Sequence, residues 1–280
     1  MQIAYTVAEA KQITRAWKRN GETIGLVPTM GYLHEGHASL IERARKENDR
    51  VVVSVFLNPT QFAPNEDLED YPRDFEHDCA LCEKIGADLV FHPEPSEMYH
   101  DPHAFVNIDL LSETMDGAAR PIHFRGVCTV VSKLFNIMLP DNAYFGQKDA
   151  QQLAIVRKLV CDLNFDVKIN GCPIVREADG LAKSSRNTYL SPEERAAAPV
   201  LYRAIKKGQE IIEHGMKATD LETAMKAVLS EEPLAKTEYV TAVDALTMQP
   251  IETIDRNTLV AMAVRIGKTR LIDNFSYEDN

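Results

Sequence analysis

The runs that most restrict what this chain can fold into are short, apolar and not alternating. Thr23 to Val27 (TIGLV) and Val51 to Leu57 (VVVSVFL) carry β-branched or apolar side chains at nearly every position. A strand with one wet face alternates polar with apolar, so runs like these predict strands covered on both faces, as in a parallel sheet flanked by helices. Asp88 to His92, Ala143 to Phe145 and Phe165 to Ile169 read as further short strands. Helical patterns separate them, at Gly36 to Glu47, Asp74 to Ile85 and Asp149 to Leu163, with a loop over Asn58 to Tyr71. The expectation is an α/β, doubly wound parallel sheet that binds ligands at the carboxyl ends of its strands.

Past Asn187 the character changes. Ser191-Pro192-Glu193-Glu194 combines a capping serine, a proline at the first helical position and a glutamate three residues after the serine, which predicts a helix start. Two helical stretches follow, Pro192 to Gly215 and Ala218 to Ser230, then three strand-like runs: Glu238 to Asp244, Leu259 to Ile266 and Thr269 to Ile272. Helices followed by strands predict a separate, small α+β domain.

Charge removes several classes of function. With 31 basic against 42 acidic side chains the net charge is -11, a poor match to nucleic acid, whose binding depends on a cationic footprint. No apolar run approaches the roughly 20 residues of a membrane helix, and the amino terminus is too polar for a secretory signal. A cytoplasmic protein with no nucleic-acid or membrane partner is expected. The five cysteines show no disulfide spacing. Cys79 and Cys82 form a CxxC near His77, but within a helix where Cys82 shares an apolar stripe with Leu81 and Ile85. Without a second ligand pair, no metal site is expected there.

Four clusters carry chemistry, and all fall where predicted strands end. In Pro28-Thr29-Met30-Gly31-Tyr32-Leu33-His34-Glu35-Gly36-His37 a strand passes through a glycine-bearing loop into a helix. The first-turn amides and the helix dipole favour an anion there, and Gly36 lets it approach the backbone. His34 and His37, three residues apart, could both donate to one phosphoryl group. In Phe145-Gly146-Gln147-Lys148-Asp149-Ala150-Gln151-Gln152, Lys148 could donate to phosphate, Asp149 could cap the helix and Gln152 would face inward. Lys183-Ser184-Ser185-Arg186-Asn187, preceded by Val175 to Gly180, suits a strap over a triphosphate, because arginine offers phosphate a fork of donors. Asn58-Pro59-Thr60-Gln61-Phe62 places an amide side chain at a strand end, able to donate to and accept from a polar substrate.

The chain resembles the pantothenate synthetase (pantoate–β-alanine ligase) family. The resemblance is carried by PTMGYLHEGH at 28–37, VVSVFLNPTQF at 52–62, NEDLEDYPRD at 65–74, HFRGVCTVVSKLFNIMLPDNAYFGQKDAQQLAIVRKLV at 123–160 and PIVREADGLAKSSRNTYLSPEER at 173–195. It implies a Rossmann-like ATP- and pantoate-binding domain at 1–175 and a smaller C-terminal α+β lid domain at 176–280. It implies ATP-dependent joining of (R)-pantoate to β-alanine through a pantoyl adenylate, giving pantothenate, AMP and pyrophosphate, with Mg2+ accompanying ATP and a homodimer formed through the first domain.

Carried over position by position, Met30, Gly31, Tyr32, Leu33, His34, Glu35, Gly36 and His37 bind ATP, with His37 as proton donor. Gly146, Gln147, Lys148, Asp149, Val175, Lys183, Ser184, Ser185 and Arg186 complete the nucleotide site. His34, Lys148, Ser184, Ser185 and Arg186 would act on the phosphates. Gln61 would contact pantoate and β-alanine, Gln152 pantoate, and Arg125 the pyrophosphate or the β-alanine carboxylate. Tyr32 stands where relatives usually carry alanine, and Lys183 where they usually carry an apolar residue. Two other readings share the histidine motif or the fold: a nucleotidylyltransferase or class I tRNA synthetase-like enzyme, and a non-catalytic nucleotide sensor.

Overall fold

The computed structural model describes residues 1–64 and 66–277; Asn65, the first residue of the acidic stretch 65–74, lies outside them. The chain divides into two compact units. The first comprises Met1–Ile108, Arg120–Gln147 and Ile155–Pro173; the second comprises Asp109–Ala119, Lys148–Ala154 and everything from Ile174 onward.

The first unit is built on six parallel strands: β1 (Gln2–Ala4), β2 (Ile24–Thr29), β3 (Arg50–Val55), β4 (Leu89–Phe91), β5 (Asn142–Gly146) and β6 (Lys168–Cys172). Their order is β1-β4-β3-β2-β5-β6. The chain winds from β2 through β3 to β4 and then restarts on the other side of β2 with β5, so the switch in winding direction falls between β2 and β5. Ile24, Leu26, Val27, Val51, Val52 and Val53 are all fully buried, as the unbroken apolar runs require. The helices are α1 (Val7–Arg19), α2 (Glu35–Glu47), α3 (Phe75–Ile85), α4 (Pro95–Met98), α5 (Met115–Ala119), α6 (His123–Met138) and α7 (Ala150–Asp162). Of these, α5 and the first turn of α7 belong to the second unit.

The boundaries of β3 and β6 differ from expectation. β3 stops at Val55 and not Leu57, because a strand persists only while a neighbour pairs with it. β2 ends at Thr29, whose carbonyl takes the last ladder bond from the Phe56 N–H at 3.1 Å, and the next loop turns away. β6 begins at Lys168 and not Phe165. The Phe165 N–H returns to the Val160 carbonyl at the end of α7, and its ring packs edge-on against Phe135, so pairing with β5 starts at Asn142 opposite Lys168. β1, α1, α4, α5 and α6 stand outside the sequence reading. Thirteen of the sixteen residues of α6 are buried, and Arg125, Lys133 and Asn136 form only a narrow polar stripe along it.

The second unit contains α8 (Pro192–Ala197), α9 (Val200–Ile211), α10 (Ala218–Ser230) and an antiparallel sheet of β7 (Ala235–Asp244), β8 (Thr258–Ile266) and β9 (Thr269–Ser276). Its core gathers Leu201, Ile205, Leu221, Met225, Val260, Met262 and Phe275 among others. The capping box at Ser191 forms as read. The expected single helix from Pro192 to Gly215 is broken at Pro199, which lacks the N–H that would continue the ladder, and α9 ends at Ile211. β7 and β9 are longer than expected, because pairing with β8 extends each beyond its apolar run. Among the described residues, no helix is long and apolar enough to cross a membrane.

Candidate active site

In the first unit the site begins where β2 ends. Gly31 and Tyr32 both take left-handed backbone conformations, with φ of 88° and 52°. Glycine does so freely, whereas tyrosine is strained there. The strain is held by Asp78 on α3, whose fully buried carboxylate accepts the Tyr32 N–H at 2.9 Å and the Leu33 N–H at 2.6 Å. Burial pushes the Asp78 carboxyl above the ordinary aspartate range, while those two amides pull it back down. The adjacent His77 Nε2 lies 3.2 Å from the Leu33 carbonyl.

The loop delivers His34 to the N-cap of α2. His34 Nδ1 accepts the Gly36 N–H at 3.1 Å, and His37 Nδ1 accepts the His34 N–H at 3.2 Å. The two imidazoles thus form a reciprocal capping box, with ring centroids 4.1 Å apart. An Nδ1 that accepts a hydrogen bond carries no proton, so in each neutral ring the proton sits on Nε2. The expected pair of donors at the helix entrance is therefore set by the backbone itself. One first-turn amide, that of Gly36, is already spent on His34 and does not wait for an anion.

Gln61 lies after β3 in a 3-10 turn, Pro59–Gln61, and is buried. Its Oε1 accepts from Asn58 Nδ2 at 3.0 Å, and its Nε2 reaches Met30 Sδ at 3.0 Å, so the structure brings Gln61 to the histidine loop. Asn58 is the hub of this turn. Its Nδ2 also donates to the Gly126 carbonyl, and its Oδ1 accepts from Tyr99 Oη at 2.7 Å and Thr60 Oγ1 at 2.9 Å. The turn lies so close on α6 that a Cβ at Gly126 would sit 2.5 Å from the Thr60 carbonyl oxygen and 2.6 Å from Gln61 Cα. Arg125, one residue earlier, is exposed, with its guanidinium over the Phe105 ring. Gly146 ends β5, the strand beside β2, and Gln147 follows it.

In the second unit, Lys148 and Asp149 complete a 3-10 turn and Gln152 lies in the first turn of α7. Gln152 is half-buried, and its neighbour Gln151 is the one that points fully inside. Val175 and Lys183 face each other across a hairpin-like turn, the Lys183 N–H donating to the Val175 carbonyl at 2.9 Å. Gly180 makes that turn with φ of 91°, pressed flat on the Tyr202 ring. Asn187 Nδ2 and Arg195 both reach Glu177, and Arg176 forms two bonds to the buried carboxylate of Asp273. Ser184 Oγ caps the short helix Ser185–Tyr189 by accepting the Arg186 N–H. The serine-arginine segment is thus a bonded turn.

Burial pushes both Cys82 and Cys128 up to about 12, far from a reactive thiolate. No group of three or more histidine, cysteine, aspartate or glutamate side chains among the described residues could hold a metal. Sequence reasoning gave no role to Asp78, Asn58, Gly126 or Gln151. For Asp78 a signal existed: it stands four residues before Cys82, an acid in an otherwise apolar stripe.

A doubly wound sheet whose switch point carries a glycine-bearing loop and a double-histidine helix cap defines a nucleotide-dependent α/β enzyme. The family model described as pantoate-beta-alanine ligase matches residues 2–276. The pantothenate synthetase of Ruminiclostridium cellulolyticum is 58% identical over 281 residues, covering 99% of each chain. That of Clostridium acetobutylicum is 54% identical over 279 residues, again covering 99% of each. Among solved structures, a pantothenate synthetase from Thermus thermophilus superposes with a TM-score of 0.93 at 45% identity, over 100% of both chains. The pantoate-beta-alanine ligase from Francisella tularensis, complexed with beta-gamma ATP and β-alanine, gives 0.82 at 34% identity, covering 99% of this chain and 97% of that one. The chain belongs to the pantoate–β-alanine ligase family. It is an ATP-dependent ligase that makes pantothenate.

Proposed function

We propose that the ligation runs in two steps. A carboxylate oxygen of pantoate attacks the α-phosphorus of ATP, the bond from that phosphorus to the bridging oxygen breaks, and pyrophosphate leaves. The amine of β-alanine then attacks the acyl carbon of the pantoyl adenylate, AMP leaves, and the amine gives up a proton. A free carboxylate is a poor electrophile, and adenylation supplies the missing leaving group. The protein mainly aligns the attacking oxygen and offsets the charge that builds on the phosphates.

The observation that carries this reading is the double-histidine cap. Because both Nδ1 atoms accept backbone N–H groups, each neutral ring carries its donor on Nε2, with the ring geometry fixed before substrate arrives. His37 is the proton donor to the phosphate chain and His34 its partner. Met30 to Leu33, Glu35, Gly36, Gly146, Gln147, Lys148, Asp149, Val175, Lys183, Ser184, Ser185 and Arg186 serve ATP. Gln61, Gln152 and Arg125 serve pantoate and β-alanine.

Magnesium fits as a companion of ATP. With no three-ligand protein cluster among the described residues, phosphate oxygens would supply most of its ligands and the exposed carboxylate of Asp149 one more. When bound, the ion would neutralise phosphate charge. A homodimer formed through the first unit, and a cytoplasmic location, are proposed on the family resemblance; light scattering of the purified protein tests the first.

The decisive assay is ATP–pyrophosphate exchange with pantoate present and β-alanine absent. Exchange that depends on pantoate is expected; release of ADP and phosphate would overturn the adenylate. Replacing His37 by alanine is expected to slow exchange by roughly 10²–10³, the scale of losing one charge-stabilising donor. A folded His37→Ala protein of unchanged rate would remove His37 from the chemistry.

A further inference from the structure

The chain leaves the parallel sheet along β5 and changes unit between Gln147 and Lys148, returning only at Ile155. Lys148 and Gln152 thus lie in the second unit, although the strand that leads to them lies in the first. The cause is a set of hydrogen bonds that tie the segment down. Gln151 is buried; its Nε2 donates to the Leu111 carbonyl at 2.7 Å and the Thr114 carbonyl at 2.9 Å, and its Oε1 accepts the Asp116 N–H at 3.0 Å. Both donors and the acceptor are used, so the amide has one consistent orientation.

The segment it grips is itself rooted in the antiparallel sheet. Thr114 Oγ1 donates to the Met248 carbonyl at 2.7 Å, and Asp116 Oδ1 accepts from Tyr239 Oη at 3.0 Å and Arg270 Nη2 at 2.6 Å. A second tie comes from β9: Asn274 Nδ2 donates to the Lys148 carbonyl at 2.8 Å. The Asn274 N–H is held by Asp273, the carboxylate paired with Arg176.

We propose that Gln151 and Asn274 are positioning residues that set where Lys148 and Gln152 stand during adenylation. The proposal rests on the reading of Lys148 and Gln152 as groups that touch ATP and pantoate. Asn274 fixes the backbone from which the Lys148 side chain leaves. Gln151 fixes the rotation of the helical turn on which Gln152 is the next residue. An error of about 1 Å at such a group costs on the order of 10²-fold in rate.

The test uses the full chain in pantoate-dependent ATP–pyrophosphate exchange. Asn274→Ala and Gln151→Glu are each expected to lower kcat roughly 10- to 100-fold, while cooperative unfolding persists. In the complete reaction the KM for β-alanine is expected to stay within about twofold, since the second step does not use the displaced lysine. In a Lys148→Ala background, Asn274→Ala is expected to cost nothing further, because the group it positions is already gone. A full further loss in that background overturns the proposal. So does normal exchange by Asn274→Ala and Gln151→Glu beside an impaired Lys148→Ala. Normal exchange by Lys148→Ala overturns instead the reading of Lys148 itself. If Gln151→Glu does not fold, the Asn274–Lys148 cycle decides alone.

Discussion

At the scale of single residues, the candidate site is shaped by side chains that hold backbone. The two imidazoles owe their tautomer to the helix they cap, and the loop before them owes its left-handed pair to Asp78. Asp78→Asn would turn an acceptor into a donor facing an N–H, at a cost of about 1–3 kcal/mol. The pH dependence has a definite sign. A carboxyl raised by burial contributes fully below its unfolded value of about 3.9, and that contribution is lost as pH rises through the folded value. Urea unfolding across a pH series is therefore expected to show the gap between wild type and Asp78→Asn narrowing from about pH 4 toward neutrality. A widening gap would mean that the two amides outweigh burial.

At the scale of elements, close approach decides what can be changed. α6 and the Pro59–Gln61 turn touch at Gly126, where an added methyl would meet backbone atoms that cannot rotate away. Gly126→Ala is expected to cost about 1–3 kcal/mol as an overpacked contact and to displace Gln61, raising the KM for pantoate. A thermal melt with pantoate titrations checks both, and unchanged values would show that the turn can lift freely. The cap of α8 offers a milder comparison. Ser191→Ala removes one side of its capping box and is expected to cost about 1 kcal/mol without altering exchange kinetics.

At the scale of the whole molecule, each unit has a core of its own among the described residues. One lies on the parallel sheet around Val27, Ile41, Val53 and Val90, the other between α9, α10 and the antiparallel sheet. Leu221→Ala opens a cavity at a fully buried site of the second core and is expected to cost about 2–5 kcal/mol. Hydrogen exchange is expected to rise in α9, α10 and β7 to β9 while amides of β2 and β3 keep their protection. An equal rise in both sets would show that the two units open together.

Much of this was legible before any coordinates. Unbroken apolar runs at 23–27 and 51–57 can be buried only in a doubly covered parallel sheet, so the fold class followed from them. The capping box at Ser191 is a purely local arrangement and formed where it was read. The family motifs marked the histidine loop, Gln61 and Lys148 as candidates. What depended on distant partners was hidden. β6 starts three residues late because Phe165 is held by Phe135, and the polar stripe of α6 is narrow because thirteen of its sixteen residues are buried. The histidines announce themselves in the sequence, but the proton on each Nε2 was decided only when both Nδ1 atoms met backbone amides. Asp78, Gly126, Gln151 and Asn274 lie 45, 65, 40 and 126 residues from the groups they hold, and no local pattern encodes such a partner. Local chemistry named the candidate groups for substrate; only the folded chain, by burying and pairing the rest, decided what holds them in place.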